Sequence, residues 1–512
     1  MRSTFFGIEI GKTGISVSQK GLDVTGHNIA NVDTKGYSRQ RLTTTAYDPV
    51  VYGMKFRNTE LGAVGGGAKV KILDQVRSVF LDRQFRTEQA LQSYWNTRTT
   101  GLNYVESLFE GDEIATLSDN IQGMFSAFNT LATEGNDSHQ RIVVRTAAEL
   151  LCDSFEQIYD RLVEQQMSQN AAVDTVIKGI NNIAENIAVL NKAIYYYEID
   201  GEPANDLRDK RNLLLDELSS FVDITYHETS DNKLVVEVAG EELVNYMDVK
   251  KMGTINRAAD PLTGNIYTDV CFVDTTTGLP DPATVKTSAE LGSELGAHMD
   301  LRDSTNVENP GIPYFIEKLN TMARAVVNTV NEVHRLGFTH PSNGTGSING
   351  VNFFDDFGDI TTVTAKNISL SAEVRLSEFN IAASDRLVVL GVNNPDTLME
   401  GNQNNARKLY EIFNRTDIML GGVAIGGLNS FMDGIVTEVA TTLSKSKSFT
   451  TNHNIQLLSV TNQRTSVSGV SLDEEMTNLI RYQHAYSGSS RVITAMDEAL
   501  DVLINRTGRV GL

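Results

Sequence analysis

Three carboxylates that lie close together in the sequence are the first candidates for chemistry. Asp355, Asp356 and Asp359 occur in a stretch rich in Gly, Asn and Ser, and carboxylate oxygens are the ligands that calcium prefers. Their spacing does not follow the calcium-loop pattern, in which Asp or Asn occupies every second position before a glycine. The pattern favours a solvated loop and predicts no metal ion there.

Other residues with reactive or ligand-binding potential are isolated from one another. The glycine run 65–67 lacks the Lys-Ser or Lys-Thr pair of a phosphate-binding loop, and the residues after it alternate like a strand. Cys152 and Cys271 form no CxxC pair and are predicted to be free, buried thiols. The eight histidines form no HExxH motif and no cluster with cysteine. The sequence therefore predicts no catalytic residue, no metal and no cofactor, and the protein is not expected to be an enzyme.

Composition limits the classes of partner. The formal net charge of −21 disfavours nucleic acid, because phosphate binding requires a basic surface, and it also disfavours docking on an anionic membrane. No apolar run is long enough to span a membrane, and the first residues lack the apolar block of a cleaved secretory signal. These features alone predict a cytoplasmic protein, and a chain of 512 residues suggests roughly three domains.

The last forty residues predict a long amphipathic helix. Its apolar side chains recur at steps of three and four along one face, with one phase slip after Ile493. Ser471 and Glu474 have the spacing of a capping box at the start of this helix. From spacing alone, the stripe fits either the last core helix of a domain or an interface with another chain. The predicted interface residues are Leu472, Met476, Leu479, Tyr486, Ile493, Met496, Leu500 and Leu503.

The first thirty residues predict a helix that is apolar on two sides. Two rows repeat every seven residues and lie about 200° apart around the helix, while Gly11, Ser18 and Thr25 keep a third row small. The C-terminal helix can cover one apolar side, so we infer that another copy of the chain, or a related chain, covers the other. The rows are Ile8, Ile15, Leu22 and Ile29, and Ile10, Val17 and Val24.

The periodicities of the remaining chain predict an α+β, multidomain fold. Helical spacing runs from 79 to 222, a strand-like hairpin with Asp231 and Asn232 at its turn follows, and helix returns at 289–337. Residues 360–392 are again strand-like. We predict terminal helices that pair as an α-helical coiled coil (1–60 with 466–512), a long helical-bundle core domain (61–222 with 289–338 and 401–465), and inserted β-rich outer domains (223–288 and 339–400).

Two motifs at opposite ends of the chain resemble a known family. NIAN followed by TKGYSRQ resembles the amino-terminal signature of the bacterial flagellar axial proteins, which comprise rod, hook and hook-associated proteins. SGVSLDEEMTNLIRYQHAYSGSSRVI resembles their carboxy-terminal signature. The turn residues of the first motif are Asn28, Ile29, Ala30, Asn31, Gly36 and Tyr37, whereas His27 and Lys35 stand where relatives often have Asn and Pro.

Within the family, the helical tract and NDLRDKRNLLLDELS resemble the hook-associated proteins, because rod and hook proteins are largely β-structured in that region. The resemblance implies a structural subunit of the first junction layer between hook and filament. It also implies self-association in a ring or helical layer, with hook protein below and a second junction protein above. Secretion through the flagellar type III export apparatus, an extracellular position on the flagellum, and an export chaperone on the C-terminal helix are further implications.

Two alternatives remain open at this stage. The chain resembles the family closely enough at its ends to be another axial protein, such as a hook or distal-rod subunit. It could also be a flagellar-exported protein whose insertion, within residues 223–400, acts as an adhesin or an enzyme. In every case we expect the terminal helices to be largely disordered in the free chain and to fold against neighbouring subunits.

Overall fold

The fold is α+β and mostly helical, as predicted. The computed structural model describes residues 5–47, 65–110, 112–134, 138–199, 201, 203–229, 233–341, 346–387, 402–420 and 423–506. Its helices are α1 (Phe6–Ala30), α2 (Val79–Glu110), α3 (Asp112–Thr133), α4 (Ser138–Glu198), α5 (Asn205–Phe221), α6 (Ser288–Leu291), α7 (Ser293–Asp303), α8 (Ile312–His334), α9 (Ala372–Leu376), α10 (Asn404–Glu411), α11 (Leu428–Ser468) and α12 (Leu472–Asp501).

The strands form small antiparallel sheets. They are β1 (Gln40–Ala46), β2 (Ala68–Gln75), β3 (Thr225–Glu228), β4 (Leu234–Val238), β5 (Glu241–Asn245), β6 (Asp248–Val249), β7 (Met252–Asn256), β8 (Thr268–Phe272), β9 (Ile418–Leu420) and β10 (Val423–Gly426). β3 to β6 form one sheet in chain order, and the other strands pair as β1–β2, β7–β8 and β9–β10. The pairing of β3 with β4 confirms the predicted hairpin, whose turn at Asp231 and Asn232 lies outside the described residues.

The chain folds into two compact units. Unit 1 comprises Met1–Gln89, Ile180–Lys250 and Asn454–Leu512, and unit 2 comprises Ala90–Gly179 and Lys251–His453. The division into a terminal, a core and an outer domain stays a prediction. Within the described residues, no helix combines the length and the apolar character needed to cross a membrane.

The core of unit 2 is built around α8. Apolar side chains recur along this helix at steps of four and three; they are buried as far as Val330, and Val333 is partly buried. Aromatic pairs from other elements add to the same cluster. The ring centroids of Phe128 and Phe353 are 5.3 Å apart, and those of Phe125 and Phe413 are 5.7 Å apart. Both separations are typical of tilted aromatic contacts. The buried stripe of α8 is Leu319, Ala323, Val326 and Val330.

The strand-like expectation for residues 360–392 is wrong over their described part. Residues 360–387 contain 3₁₀ turns at Ile360–Thr362 and Glu378–Asn380, the short helix α9, and no ladder of paired strands. Their apolar side chains still enter the core of unit 2, among them Val363, Ile368 and Leu370. Alternating hydrophobicity here therefore reflects burial rather than strand pairing.

Polar side chains of α8 replace the missing strand neighbours. Oδ1 of Asn320 accepts a hydrogen bond of 2.8 Å from the backbone N–H of Ala365, and Oδ1 of Asn331 accepts one of 2.9 Å from that of Phe353. Buried backbone groups must be paired. A helix that carries Asn at these positions can thus support irregular chain packed on its surface.

The three aspartates considered for calcium binding cap backbone turns. Asp355 accepts from the N–H of Phe357 at 2.9 Å, and Asp359 accepts from that of Thr361 at 2.9 Å. Asp356 is ion-paired with Arg335. Turn formation and charge pairing account for these carboxylates without a ligand.

His334 lies fully buried at the end of α8 in its neutral form. Nδ1 donates to the carbonyl oxygen of Val351 at 2.7 Å, and Nε2 accepts from the N–H of Ala382 at 2.8 Å. Burial lowers the pKa of His334 to about 4, and the positive charge of Arg141 lowers it further. A proton on Nε2 would remove the acceptor that Ala382 requires.

Unit 2 is therefore expected to lose stability in mild acid. Because the pKa falls from 6.5 in an unfolded chain to about 4, the contribution of neutral His334 is complete above pH 6.5 and disappears as the pH falls towards 4. The full loss is about 3 kcal/mol by linkage. The variant His334→Gln should flatten the pH dependence of the free energy of unfolding over this interval, as measured by urea denaturation. His484→Gln, on an exposed helix face, is the control, and an unchanged slope in His334→Gln would refute the assignment.

Candidate assembly interface

The two terminal helices of unit 1 pair side by side and antiparallel. Gly7 lies opposite Met496 at one end of the pair, and Asn28 lies opposite Glu475 at the other. The face of α1 that meets α12 is made of small residues at steps of three and four, which we call the small-residue seam. Its members are Gly7, Gly11, Gly14, Ser18, Gly21, Thr25 and Asn28.

Glycine allows the two helices to approach closely. A Cβ atom built on Gly11 would lie 2.5 Å from Cγ1 of Ile493, and one built on Gly21 would lie 2.6 Å from the ring of Tyr482. These distances are shorter than van der Waals contact, so a larger residue would force the helices or their side chains apart. Because α1 carries no bulky side chain along the seam, the side chains of α12 fill the space between the two helices.

The predicted apolar rows of α1 lie on the two flanks of the seam, about 75° to either side by helical geometry. α12 therefore lies between the rows rather than over one of them. Val24 is buried, and the other members are partly exposed. These are Ile8, Ile15, Leu22 and Ile29 on one flank, and Ile10 and Val17 on the other.

The flank that carries Ile10 is partly covered by the chain itself. The β1–β2 ribbon packs on α1, and a Cβ built on Gly67 would lie 3.4 Å from the Cα atom of Ile10 and still closer to Thr13. Gly67 also has a φ of +105°, which favours glycine. The glycine run that resembles a phosphate loop in sequence thus seats a β-ribbon against a helix.

The stripe predicted on α12 is divided between the seam and the surface. Ile493 and Met496 contact the seam, Leu500 is buried and Leu479 is partly buried. Tyr486 is 40% exposed, while Leu472, Met476 and Leu503 are about half exposed. The row that meets α1 runs without a phase slip through Glu475, Leu479, Tyr482, Tyr486, Ser489, Ile493, Met496 and Leu500.

Sequence reasoning missed three members of this row: Glu475, Tyr482 and Ser489. The signal that identifies them is the unbroken alternation of four and three counted back from Leu500. Two of the three are polar or charged, so a search for apolar residues passes over them. They are part of the contact, because Glu475 lies opposite Asn28, Tyr482 opposite Gly21 and Ser489 opposite Gly14.

Asn28 joins the seam to the turn that follows α1. Its Oδ1 accepts from the Tyr37 hydroxyl at 2.7 Å and from the N–H of Gln40 at 2.9 Å. Its Nδ2 donates to the carbonyl oxygen of Gln40 at 2.9 Å and to Oε2 of Glu475 at 3.2 Å. All four hydrogen-bonding positions of the amide are used. One buried side chain thus connects α1, β1 and α12.

We call the contact between Asn28 and Glu475 the joint. Its acidic member, Glu475, is 1% exposed. Oε1 accepts from Nε of Arg39 at 2.8 Å, while the exposed Glu474 accepts from another nitrogen of Arg39 at 2.6 Å. The predicted capping box is wrong, because Ser471 makes no side-chain capping hydrogen bond. Arg39 holds Glu474 away from that position.

The other motif residues shape the turn around the joint. Asn31 donates to the carbonyl oxygen of His27 at 2.9 Å, and Gly36 has a φ of +82°. Ile29 is partly buried and Ala30 is exposed at the end of α1. His27 lies 3.0 Å from the Tyr37 hydroxyl, and burial raises the pKa of Tyr37. The hydroxyl therefore stays protonated and donates to Asn28.

Unit 1 also contains a buried row of arginine and aspartate side chains whose charges alternate. Arg77 contacts Asp82 at 2.6 Å, Arg464 contacts Asp82 at 2.8 Å and Asp216 at 2.7 Å, and Arg86 contacts Asp216 at 2.7 Å. Each carboxylate lies between two guanidinium groups. These charges can be buried because each has a partner of opposite sign.

The motif NDLRDKRNLLLDELS supplies the second support, through α5. Asp209 accepts from the backbone N–H of Ser38 at 2.9 Å, and Asp206 accepts from the Gln40 amide at 2.8 Å. Burial raises the pKa of Asp209, against the opposing effect of its hydrogen bonds with Ser38. Three separate motifs of the sequence therefore meet at one place in unit 1.

Comparison with known proteins finds similarity to flagellar proteins. The chain matches the model of the flagellar hook-associated protein FlgK helical domain over residues 102–354, and that of the flagellar basal body rod FlgEFG protein C-terminal region over residues 461–506. The chain is therefore similar to the flagellar hook-associated proteins in its helical region. The second match contains the whole of α12, which is the helix that meets the small-residue seam.

Full-length relatives agree with this placement. The chain is 28% identical to flagellar hook-associated protein 1 of Bacillus subtilis (strain 168), with 99% of both chains covered. It is 24% identical to the protein of that name from Escherichia coli (strain K12), with 96% of this chain and 98% of the relative covered. The structure of the flagellar hook junction protein FlgK from Burkholderia pseudomallei shares the fold, with a TM-score of 0.60 at 14% identity over 75% of this chain and all of that chain.

The seam predicts opposite effects for two glycines of α1. Gly11→Ala places a methyl group against Ile493 and should weaken the pairing with α12 by about 1–3 kcal/mol. Gly26→Ala meets open space and should stabilise α1 by about 1 kcal/mol through helix propensity. Hydrogen exchange of α1 amides in the purified chain measures both effects. Equal protection in the two variants would show that close approach is not required.

The joint predicts a second contrast, between neighbouring glutamates. Glu475→Gln leaves Arg39 without its buried counter-charge and should destabilise unit 1 by about 2–3 kcal/mol. Glu474→Gln removes an exposed partner of the same arginine and should cost less than about 1 kcal/mol. Thermal unfolding followed by circular dichroism compares them. Similar costs would contradict the assignment of Glu475 as the buried member.

Proposed function

We propose that the chain is a structural subunit of the bacterial flagellum that forms the first junction layer between hook and filament. It acts as an adaptor for filament assembly through packing of its N- and C-terminal helices. The observation that carries this mechanism is the incomplete burial of α12. Among its thirty residues, only Glu475 and Leu500 are buried.

The outer surface of the terminal pair carries exposed apolar side chains. Met476 is 53% exposed and Ile480 is 51% exposed, in addition to the apolar flanks of α1. A two-helix hairpin buries too little surface to be firmly stable alone, and exposed apolar strips of this kind are typical of interaction sites. Neighbouring copies of the chain supply the cover that the pair lacks. The interface residues named from sequence and the small-residue seam together form the proposed assembly surface.

The contacts between copies are proposed to be head-to-tail. The two flanks of α1 differ in their residues and in their cover by the β1–β2 ribbon, so a patch does not match itself. Contacts of this type generate rings when the rotation closes and helical tubes when it does not. A ring or tube of this kind fits a layer between hook protein below and a second junction protein above.

The likeness to flagellar hook-associated proteins supports an extracellular position on the flagellum, in place of the cytoplasmic location that composition alone suggested. We propose passage through the flagellar type III export apparatus, with a chaperone bound to the apolar face of α12 beforehand. Both cysteines are free, which suits transport of an unfolded chain.

The helical-domain match favours the junction subunit over a hook or distal-rod subunit. The family is structural, and no observation on residues 223–400 favours an added enzymatic or adhesive role.

Removal of residues 471–512 should abolish incorporation into flagella and leave unit 2 folded. The deletion removes α12, so α1 loses its helix partner, whereas the core around α8 contains no residue from that segment. Immunoblots of isolated flagella report incorporation, and near-ultraviolet circular dichroism reports the fold of unit 2. If the truncated chain still entered flagella, packing of the terminal helices would not be the assembly mechanism.

A further inference from the structure

Unit 1 contains a cleft of about 390 Å³ that the assembly mechanism does not use, although two of its lining residues, Arg77 and Asp82, belong to the buried row of charges. We call it the arginine cleft, because four guanidinium groups line it together with Asp74, Tyr226 and the first residue of α5. It lies apart in sequence from the small-residue seam and from Asn28. Its arginines are Arg77, Arg83, Arg208 and Arg211.

Polar atoms around the cleft are buried without a partner in the described part of the chain. They are Nε of Arg211, the hydroxyl of Tyr226, Nη1 of Arg86 and Oδ1 of Asp74. The guanidinium of Arg86 lies 4.4 Å from the centre of the Tyr226 ring. Three of these four groups can donate a hydrogen bond. Buried donors without acceptors are unfavourable, so a ligand with acceptor oxygens would satisfy them.

The charges of the cleft are largely paired, because Asp74, Asp82 and Glu228 line it together with the arginines, and Arg77 is bound by Asp82. Arg208 is paired with Glu198, and Arg211 with Glu228. Burial nevertheless lowers the pKa of Arg211, so its surroundings do not fully compensate its charge. Arg83 is exposed, lies over the Tyr226 ring at 5.9 Å, and makes no ion pair with the described residues.

The start of α5 adds a third source of positive potential. The helix is 17 residues long, and its N-cap, Ala204, provides no side-chain hydrogen bond to the first N–H groups. Free N–H groups at a helix N-terminus attract negative charge. Together with the unpartnered donors, this end of α5 makes the cleft suited to a carboxylate.

We propose that the arginine cleft receives the carboxylate of an Asp or Glu side chain from a second copy of the chain in the assembled layer. This inference rests on the proposed function, in which copies stand side by side. The chain has 65 acidic and 44 basic residues, so adjacent copies repel unless acidic groups meet cationic sites. A carboxylate can accept from Arg211 and Tyr226 through its two oxygens and pair with Arg83.

The test uses two conservative variants of the full-length chain. Tyr226→Phe removes only the unpartnered hydroxyl, and Arg83→Gln removes an exposed charge, so neither is expected to impair folding. Arg407→Gln, on an exposed position of unit 2, is the matched control. Glutarate serves as a free carboxylate probe at constant ionic strength, and its effect on the melting temperature of unit 1 measures occupation of the cleft. Incorporation is measured on flagella from cells whose own copy has been deleted.

We expect glutarate to raise the melting temperature of the wild type and of Arg407→Gln in a saturable manner, and not that of the two cleft variants. Incorporation of the cleft variants should fall by about fivefold, which is the size of effect expected for loss of one interfacial charge contact. Glutarate binding with unchanged incorporation would assign the cleft to a free carboxylate and overturn the proposal. Reduced incorporation without glutarate binding would assign it to a contact of different chemistry, and no effect in either assay would also overturn it. Absence of the wild type and of Arg407→Gln from the junction would instead reject the proposed function.

Discussion

The close contact of α12 with the small-residue seam of α1 is the interaction on which the assembly mechanism depends. Glycine at Gly11 and Gly21 removes the side chains that would separate the helices. The amide of Asn28 and the carboxylate of Glu475 then close one end of the pair. Hydrophobic residues are displaced to the flanks by this arrangement, so the pair holds together while its apolar surface remains accessible to other subunits.

Buried charge provides a rigid base for this pair. Asp82 and Asp216 each lie between two arginines, and Asp209 fixes the backbone at Ser38. Buried ion pairs of this kind add little net stability but penalise alternative arrangements, because any shift leaves a charge unpaired. In a protein that must pack against neighbours in a defined register, we interpret the network as a device that sets the direction of the terminal helices within unit 1.

Much of the fold could be predicted from the sequence, because helical and strand periodicities report burial directly. The stripe of α8 and the β3–β4 hairpin follow this rule. Residues 360–387 do not, since their alternation results from packing on α8, where Asn320 accepts from the backbone N–H of Ala365. The contact between α1 and α12 was predicted in part for the same reason. Apolar spacing identifies Ile493, Met496 and Leu500, whereas contacts made by glycine, by Tyr482 and by a buried glutamate carry no apolar signal.

The comparisons and the geometry describe different aspects of the same protein. The likeness to hook-associated proteins indicates a place on the flagellum, and the structure gives a physical reason for the proposed assembly there: terminal helices that are paired but incompletely covered. Limited proteolysis of the purified chain, with the fragments identified by mass spectrometry and assembled flagella as the comparison, tests this reason most directly. Cleavage should begin within α1 and α12 in the free chain and be suppressed at the same sites after assembly. If α1 and α12 resisted the protease as well in the free chain as in assembled flagella, the result would contradict the account.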